Sequence, residues 1–227
     1  MGQWQGDAII FDLDGVLIDA NSVYERHWKV WADQHQVPFA EILGVHHGRP
    51  AAGTVEIVAP HLDPQHEAAE YNRRLLEDTD QSGVLTFPGV VGLLASLPED
   101  RWAIATSAPQ PVAVARLGHL DLPQPEVLVT ADDVVRGKPD PDPYLLAARG
   151  LGHPPQRCLV VEDAPAGIEA AAAAGAFVLA VATTHEVDAL RGADAIVARL
   201  PDLTIRPETD GLTVMWPTAP TPKTPIS

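Results

Sequence analysis

Six short apolar runs, at residues 8–12, 102–106, 127–130, 158–162, 177–182 and 195–197, recur along this chain with helical patterns between most of them. Runs that are apolar at every position, not at alternate ones, suit strands buried on both faces. The intervening helices supply the cover: Val90, Leu93, Leu94 and Leu97 fall at helical spacing, as do Ile168, Ala171 and Ala172, with Gly175 where that helix would stop. Strand and helix alternating in this way predict an α/β fold built on one parallel sheet.

Residues 17–85 break the alternation. They offer no convincing strand, but Tyr24, His27, Trp28 and Trp31 form one aromatic helical face and Ala68, Tyr71 and Leu75 another. This predicts a small helical domain inserted after the first strand, with Ser82-Gly83 and Pro88-Gly89 marking the return. The Trp28/Trp31 stripe suits core packing better than ligand stacking. Residues 203–216 alternate around Asp210-Gly211 as a hairpin would. The expected organisation is therefore a core of residues 1–16 and 86–216, a helical domain of 17–85, and a Pro- and Thr-rich tail of 217–227.

With 31 acidic against 15 basic residues and no basic stripe, the chain is ill suited to a nucleic-acid partner. Its longest apolar stretch, 170–182, contains Gly175 and falls short of the roughly 20 residues needed to span a bilayer. The first seven residues lack the charged and apolar regions of a signal peptide, so a cytoplasmic protein without a membrane partner is expected. Cys158, the single cysteine, reads as a small buried apolar residue.

Four loops at the ends of predicted strands carry chemistry. Asp12-Leu13-Asp14-Gly15 follows the first strand, and two carboxylates at the carboxyl end of a strand let one attack while the other handles a proton. Thr106-Ser107 offers a hydroxyl and a run of backbone N–H groups to a phosphoryl oxygen. Gly137-Lys138-Pro139 places one of only three lysines after the third strand, where a compact positive charge is of use. Glu162-Asp163 closes the fourth strand before a helix start at Pro165, and paired acids there complement a helix dipole or ligate a hard cation. Each placement alone has an ordinary structural explanation. Together they describe phosphoryl transfer, in which a carboxylate nucleophile attacks a dianion whose repulsion a divalent ion and a lysine offset.

On these four motifs, in this order and spacing, the chain resembles the haloacid dehalogenase superfamily over nearly its whole length. The resemblance implies a Rossmann-like parallel sheet with a helical cap inserted after the first strand. Asp14 argues against the dehalogenase branch, which lacks that acid. By resemblance Asp12 is the nucleophile that becomes an aspartyl phosphate, and Asp14 is the acid and base, also offering its backbone carbonyl to Mg²⁺. Thr106, Ser107 and Lys138 hold the phosphoryl group, Asp163 ligates Mg²⁺, and Glu162 acts from the metal's first or second shell. His47-Gly48-Arg49 looks like the substrate-recognition loop of sugar- and polyol-phosphate members. His46 beside it, without further spaced ligands, makes a weak transition-metal site. Longer stretches, such as residues 102–107 and 162–168, are similar to the glycerol-phosphate and 2-deoxyglucose-6-phosphate phosphatases. Val16, where many relatives have threonine, and the tail depart from the pattern. The implied function is Mg²⁺-dependent hydrolysis of a small sugar or polyol phosphate by a monomer or homodimer. The alternatives are a phosphotransferase or mutase and a non-catalytic sugar-phosphate-binding module.

Overall fold

The computed structural model describes residues 1–78 and 83–218. The chain opens with β1 (Gly2–Gly6) and β2 (Ala8–Phe11), then β3 (Ile18–Asp19). Four helices follow: α1 (Asn21–His35), α2 (Phe39–Leu43), α3 (Ala51–Val58) and α4 (Pro64–Glu77). The chain continues through β4 (Leu85–Thr86), α5 (Val90–Ala95), β5 (Trp102–Ala105), α6 (Gln110–His119) and β6 (Val127–Val129). It ends with α7 (Asp142–Gly150), β7 (Cys158–Glu162), α8 (Pro165–Ala174), β8 (Phe177–Val181), β9 (Ala195–Val197), β10 (Thr204–Glu208) and β11 (Gly211–Trp216).

The six expected strands form one parallel sheet in the order β6-β5-β2-β7-β8-β9. Their side chains sort by parity. Ile9, Phe11, Leu159 and Val161 enter one core with Val112, Ala113 and Leu117 of α6, whereas Ala8, Ile10, Cys158 and Val160 enter another with Tyr144, Ala147 and Ala148 of α7 and the alanines of α8. Every residue of β2, β5 and β7 is buried, which is why these strands read as continuous apolar runs. Gly175, at φ +82°, closes α8 in the left-handed conformation, as its place in the sequence predicted.

Two features depart from expectation. Ile18–Asp19 and Leu85–Thr86 pair antiparallel, so the stretch expected to hold no strand begins and ends on a two-residue ladder. A ladder so short has no periodicity to detect. The predicted hairpin forms, turning at Thr209 and Asp210, but β11 pairs with β1 on its other side, making a three-stranded antiparallel sheet. Trp4 and Trp216 from this sheet both pack against Phe177. Its polar first residues hid β1, whose partner lies at the far end of the chain. No helix among the described residues is long and apolar enough to cross a membrane. Ser82, half of one expected return signal, and residues 219–227 of the tail lie outside the described residues.

Candidate active site

Parallel strands deliver their carboxyl ends to one edge of a sheet, and the loops after β2, β5, β6 and β7 meet there. Asp12 follows β2 directly and is 3% exposed. Lys138, equally buried, places Nζ 2.8 Å from Asp12 Oδ1 and 2.8 Å from Glu162 Oε1. Burial opposes the lysine's charge, but the two carboxylates hold its pKa well above the ordinary value. Burial also pushes Asp12 up to about 7, against the pull of Lys138. The Lys138 ammonium lies 4.9 Å from the centre of the Tyr144 ring, whose hydroxyl donates to Glu162 Oε1 at 2.8 Å.

Both oxygens of Glu162 are occupied. Oε1 accepts from Lys138 and Tyr144, and Oε2 accepts from the backbone N–H groups of Asp163 (2.8 Å) and Ala164 (3.0 Å). A Cβ on Gly167 would fall 1.6 Å from Oε1, so the glycine near the start of α8 makes room for this carboxylate. The geometry makes Glu162 an anchor for Lys138.

Asp163 is different. Thr184 donates to its Oδ2, while Oδ1 is buried with no hydrogen-bond partner. Burial, with Glu162 and Asp12 nearby, raises its pKa well above the usual carboxylate range. Oxygens of Asp12, Glu162 and Asp163 lie within 4.8 Å of one another. An orphaned carboxylate oxygen in such a cluster fits a hard divalent cation. Gly15 leaves the space: at φ +85°, its position would bring a Cβ within 2.1 Å of Asp163 Oδ2.

Thr106 is buried, and its Oγ1 accepts from the Ala108 N–H at 3.1 Å, leaving the hydroxyl proton for another acceptor. Ser107 turns to the helical insertion, donating to the Gly48 carbonyl at 3.0 Å. The loop carrying His46, His47, Gly48 and Arg49 sits against the sheet's loops at two further points. A Cβ on Gly48 would come within 2.7 Å of the Ala164 Cβ, and one on Gly137 within 2.4 Å of Pro50 Cγ. His47 Nε2 pairs with Asn21 Oδ1 at 3.1 Å. The His46 and His47 rings are 3.9 Å apart, and burial lowers their pKa values to about 3 and about 4. His46, His47, Gly48 and Arg49 line one cavity with Asp12, Asp14, Thr106, Ser107 and Asp163. Trp28 reaches the cavity but is 2% exposed and stacked on Tyr71 at 4.1 Å, and Trp31 donates to Glu67, so both serve packing.

The sequence did not mark Arg116, Tyr144 or Thr184 as site residues, and it placed Tyr24 only on an aromatic helical face. Arg116 Nη1 donates to Asp14 Oδ1 at 2.6 Å and to the Tyr24 hydroxyl at 2.5 Å, and that hydroxyl donates to Asp14 Oδ2 at 3.0 Å. A signal existed, since Arg116 sits on the buried stripe of α6 with Val112, Ala113 and Leu117. A charge on an apolar helical stripe needs a partner.

Comparison with known proteins agrees with this architecture. Residues 7–175 match the haloacid dehalogenase-like hydrolases. The chain is 40% identical over 205 residues to hexitol phosphatase A of Escherichia coli (strain K12), covering 89% of this chain and 95% of that protein. It is 32% identical over 204 residues to glycerol-1-phosphate phosphohydrolase 2 of Saccharomyces cerevisiae, covering 84% and 81%. A hydrolase structure from Pseudomonas syringae superposes with a TM-score of 0.72 at 29% identity, covering 84% of this chain and 92% of that one. With carboxylates, hydroxyl and lysine gathered at the carboxyl edge of a parallel sheet, and with a family match spanning most of its length, this chain belongs to the haloacid dehalogenase-like hydrolase family.

Proposed function

We propose that the protein is a Mg²⁺-dependent phosphatase that hydrolyses a small sugar or polyol phosphate through an aspartyl phosphate on Asp12. The observation that carries this reading is the position of the Asp12 carboxylate, held by Lys138 at the floor of a cavity that Asp14 and Thr106 also line. The similarity to two enzymes named for the removal of phosphate from polyols supports the substrate class.

In the first half-reaction an Asp12 oxygen attacks phosphorus, the P–O bond to the alcohol breaks, and Asp14 gives its proton to the departing oxygen. In the second, water attacks phosphorus, Asp14 takes the water proton, and Asp12 is released. Lys138 and the Thr106 hydroxyl meet the charge on the phosphoryl oxygens. Asp12, Asp163 and the Asp14 backbone carbonyl would hold Mg²⁺, which when bound offsets the negative charge of the cluster and of the phosphate. Glu162 fixes Lys138 from behind.

Helices α1 to α4 act as a cap over this site. The loop 46–50 closes against Ser107, Ala164 and Gly137, and His47 and Arg49 face the alcohol portion of the substrate. A closed cap keeps water away during phosphorylation.

Phosphate release from glycerol, hexitol, 2-deoxyglucose, glucose and fructose phosphates, with Mg²⁺ and with chelator, tests the proposal on wild type and Asp12→Asn. Release that needs both Mg²⁺ and Asp12 is the expected result. Interconversion of sugar phosphates without free phosphate would favour the mutase reading, and binding without turnover the non-catalytic one.

A further inference from the structure

Arg116 is 3% exposed in the apolar interior of α6, and a guanidinium so placed demands compensation. Its carboxylate partner is Asp14, 2.6 Å away, across 102 residues of sequence. The other groups around it are aromatic: the Tyr24 ring centroid lies 4.3 Å from the guanidinium carbon and the Tyr24 hydroxyl 2.5 Å from Nη1. Burial works against the charge of Arg116, but Asp14 and Tyr24 keep it firmly protonated. The two bonds to Asp14 are unequal. Arg116 to Oδ1 is charge-assisted and short, whereas the neutral Tyr24 hydroxyl reaches Oδ2 at 3.0 Å.

We propose that Arg116 is a positioning residue for the proton-transfer step: it pins Oδ1 of Asp14, so that Oδ2, held meanwhile by Tyr24 of the cap, is the oxygen that swings to the ester oxygen of the substrate. This rests on the reading of Asp14 as the group that protonates the leaving alcohol. The weaker Tyr24 bond yields when substrate arrives, Oδ2 carries to the ester oxygen a proton taken up from solvent, and the stronger Arg116 bond remains as the pivot. Because Tyr24 lies on α1 and Arg116 on α6, the arrangement is complete only with the cap down.

The test compares kcat/KM for two esters, since this ratio reports on events up to departure of the leaving group. A polyol alkoxide leaves poorly without a proton, whereas p-nitrophenolate leaves without one. For Arg116→Met, kcat/KM on glycerol 1-phosphate or a hexitol phosphate should fall by ~100-fold, the lower end of what a positioned acid contributes. On p-nitrophenyl phosphate the fall should stay within about 5-fold, the chemistry at Asp12 being otherwise intact. Arg116→Lys keeps the charge without the planar fork and should recover about a tenth of the lost discrimination or more. Should Arg116→Met not fold, Arg116→Lys carries the same two-ester comparison, with a loss of roughly 10-fold confined to the alkyl ester. Equal losses on both esters in the Arg116 variants, with an active wild type, would make Arg116 a purely structural ion-pair partner and overturn the proposal. A wild-type protein that cleaves neither ester would instead overturn the phosphatase reading beneath it.

Discussion

Ser107, at the carboxyl end of β5, donates its hydroxyl proton to the carbonyl of Gly48 in the helical insertion at 3.0 Å. Its side-chain proton thus goes to the insertion, which leaves only the backbone N–H for the phosphate contact proposed at this position. Ser107→Ala removes one cap-to-core hydrogen bond, with a net value of about 1 kcal/mol. The expected outcome is a roughly 3- to 10-fold lower kcat/KM from weaker closure, with thermal unfolding almost unchanged. Steady-state kinetics beside a melting curve would decide it, and an unchanged kcat/KM would remove this bond from the closing contacts.

Lys138→Met leaves Asp12 and Glu162 buried without their cation. Loss of one member of a buried ion pair costs about 3–5 kcal/mol, so the variant should unfold at markedly lower urea than wild type at pH 7. Burial already holds Asp12 above its unfolded pKa, at about 7, and loss of Lys138 removes the chief influence that lowers both it and Glu162, so the folded variant takes up more protons than wild type as pH falls from 7. The deficit should therefore shrink between pH 7 and pH 5. A deficit independent of pH would show that packing, not charge, is what Lys138 supplies.

The paired imidazoles of His46 and His47 have folded pKa values of about 3 and about 4, lowered chiefly by burial from 6.5. Groups depressed on folding stabilise the protein above their unfolded pKa and cease to do so as pH falls. For His46 this amounts to about 1.4 kcal/mol per pH unit below 6.5, or about 2 kcal/mol by pH 5. Wild type should lose stability over this interval, and His46→Asn should flatten the slope. Urea titrations at pH 7, 6 and 5 measure both, and parallel slopes in the two proteins would discount His46.

Gly15 lies where a methyl group would strike the Asp163 carboxylate, and its φ of +85° adds strain for any other residue. Gly15→Ala should weaken Mg²⁺ binding by at least 10-fold, by analogy with the loss of groups that orient metal ligands. Calorimetric titration with Mg²⁺ reads this directly, as does the Mg²⁺-induced rise in melting temperature, which chelator should abolish in wild type. Equal affinity in both proteins would place the ion away from Asp163.

The alternating apolar runs determined the parallel sheet without help from distant contacts, because strands buried on both faces must be apolar throughout. Once that sheet exists, its geometry brings Asp12, Thr106, Lys138 and Asp163 to one edge, so the groups of the candidate site were legible as residues that follow strands. Tertiary structure alone decided the rest. The polar strand Gly2–Gly6 is stabilised by pairing with Gly211–Trp216, a relationship between chain ends that no local pattern encodes. Glu162 became an anchor because Lys138, Tyr144 and two backbone N–H groups occupy its oxygens. Arg116 found Asp14 through the packing of α6 beneath the cap. Local sequence shows that a buried charge needs a partner, but which carboxylate answers it depends on which surfaces the fold brings within hydrogen-bonding distance.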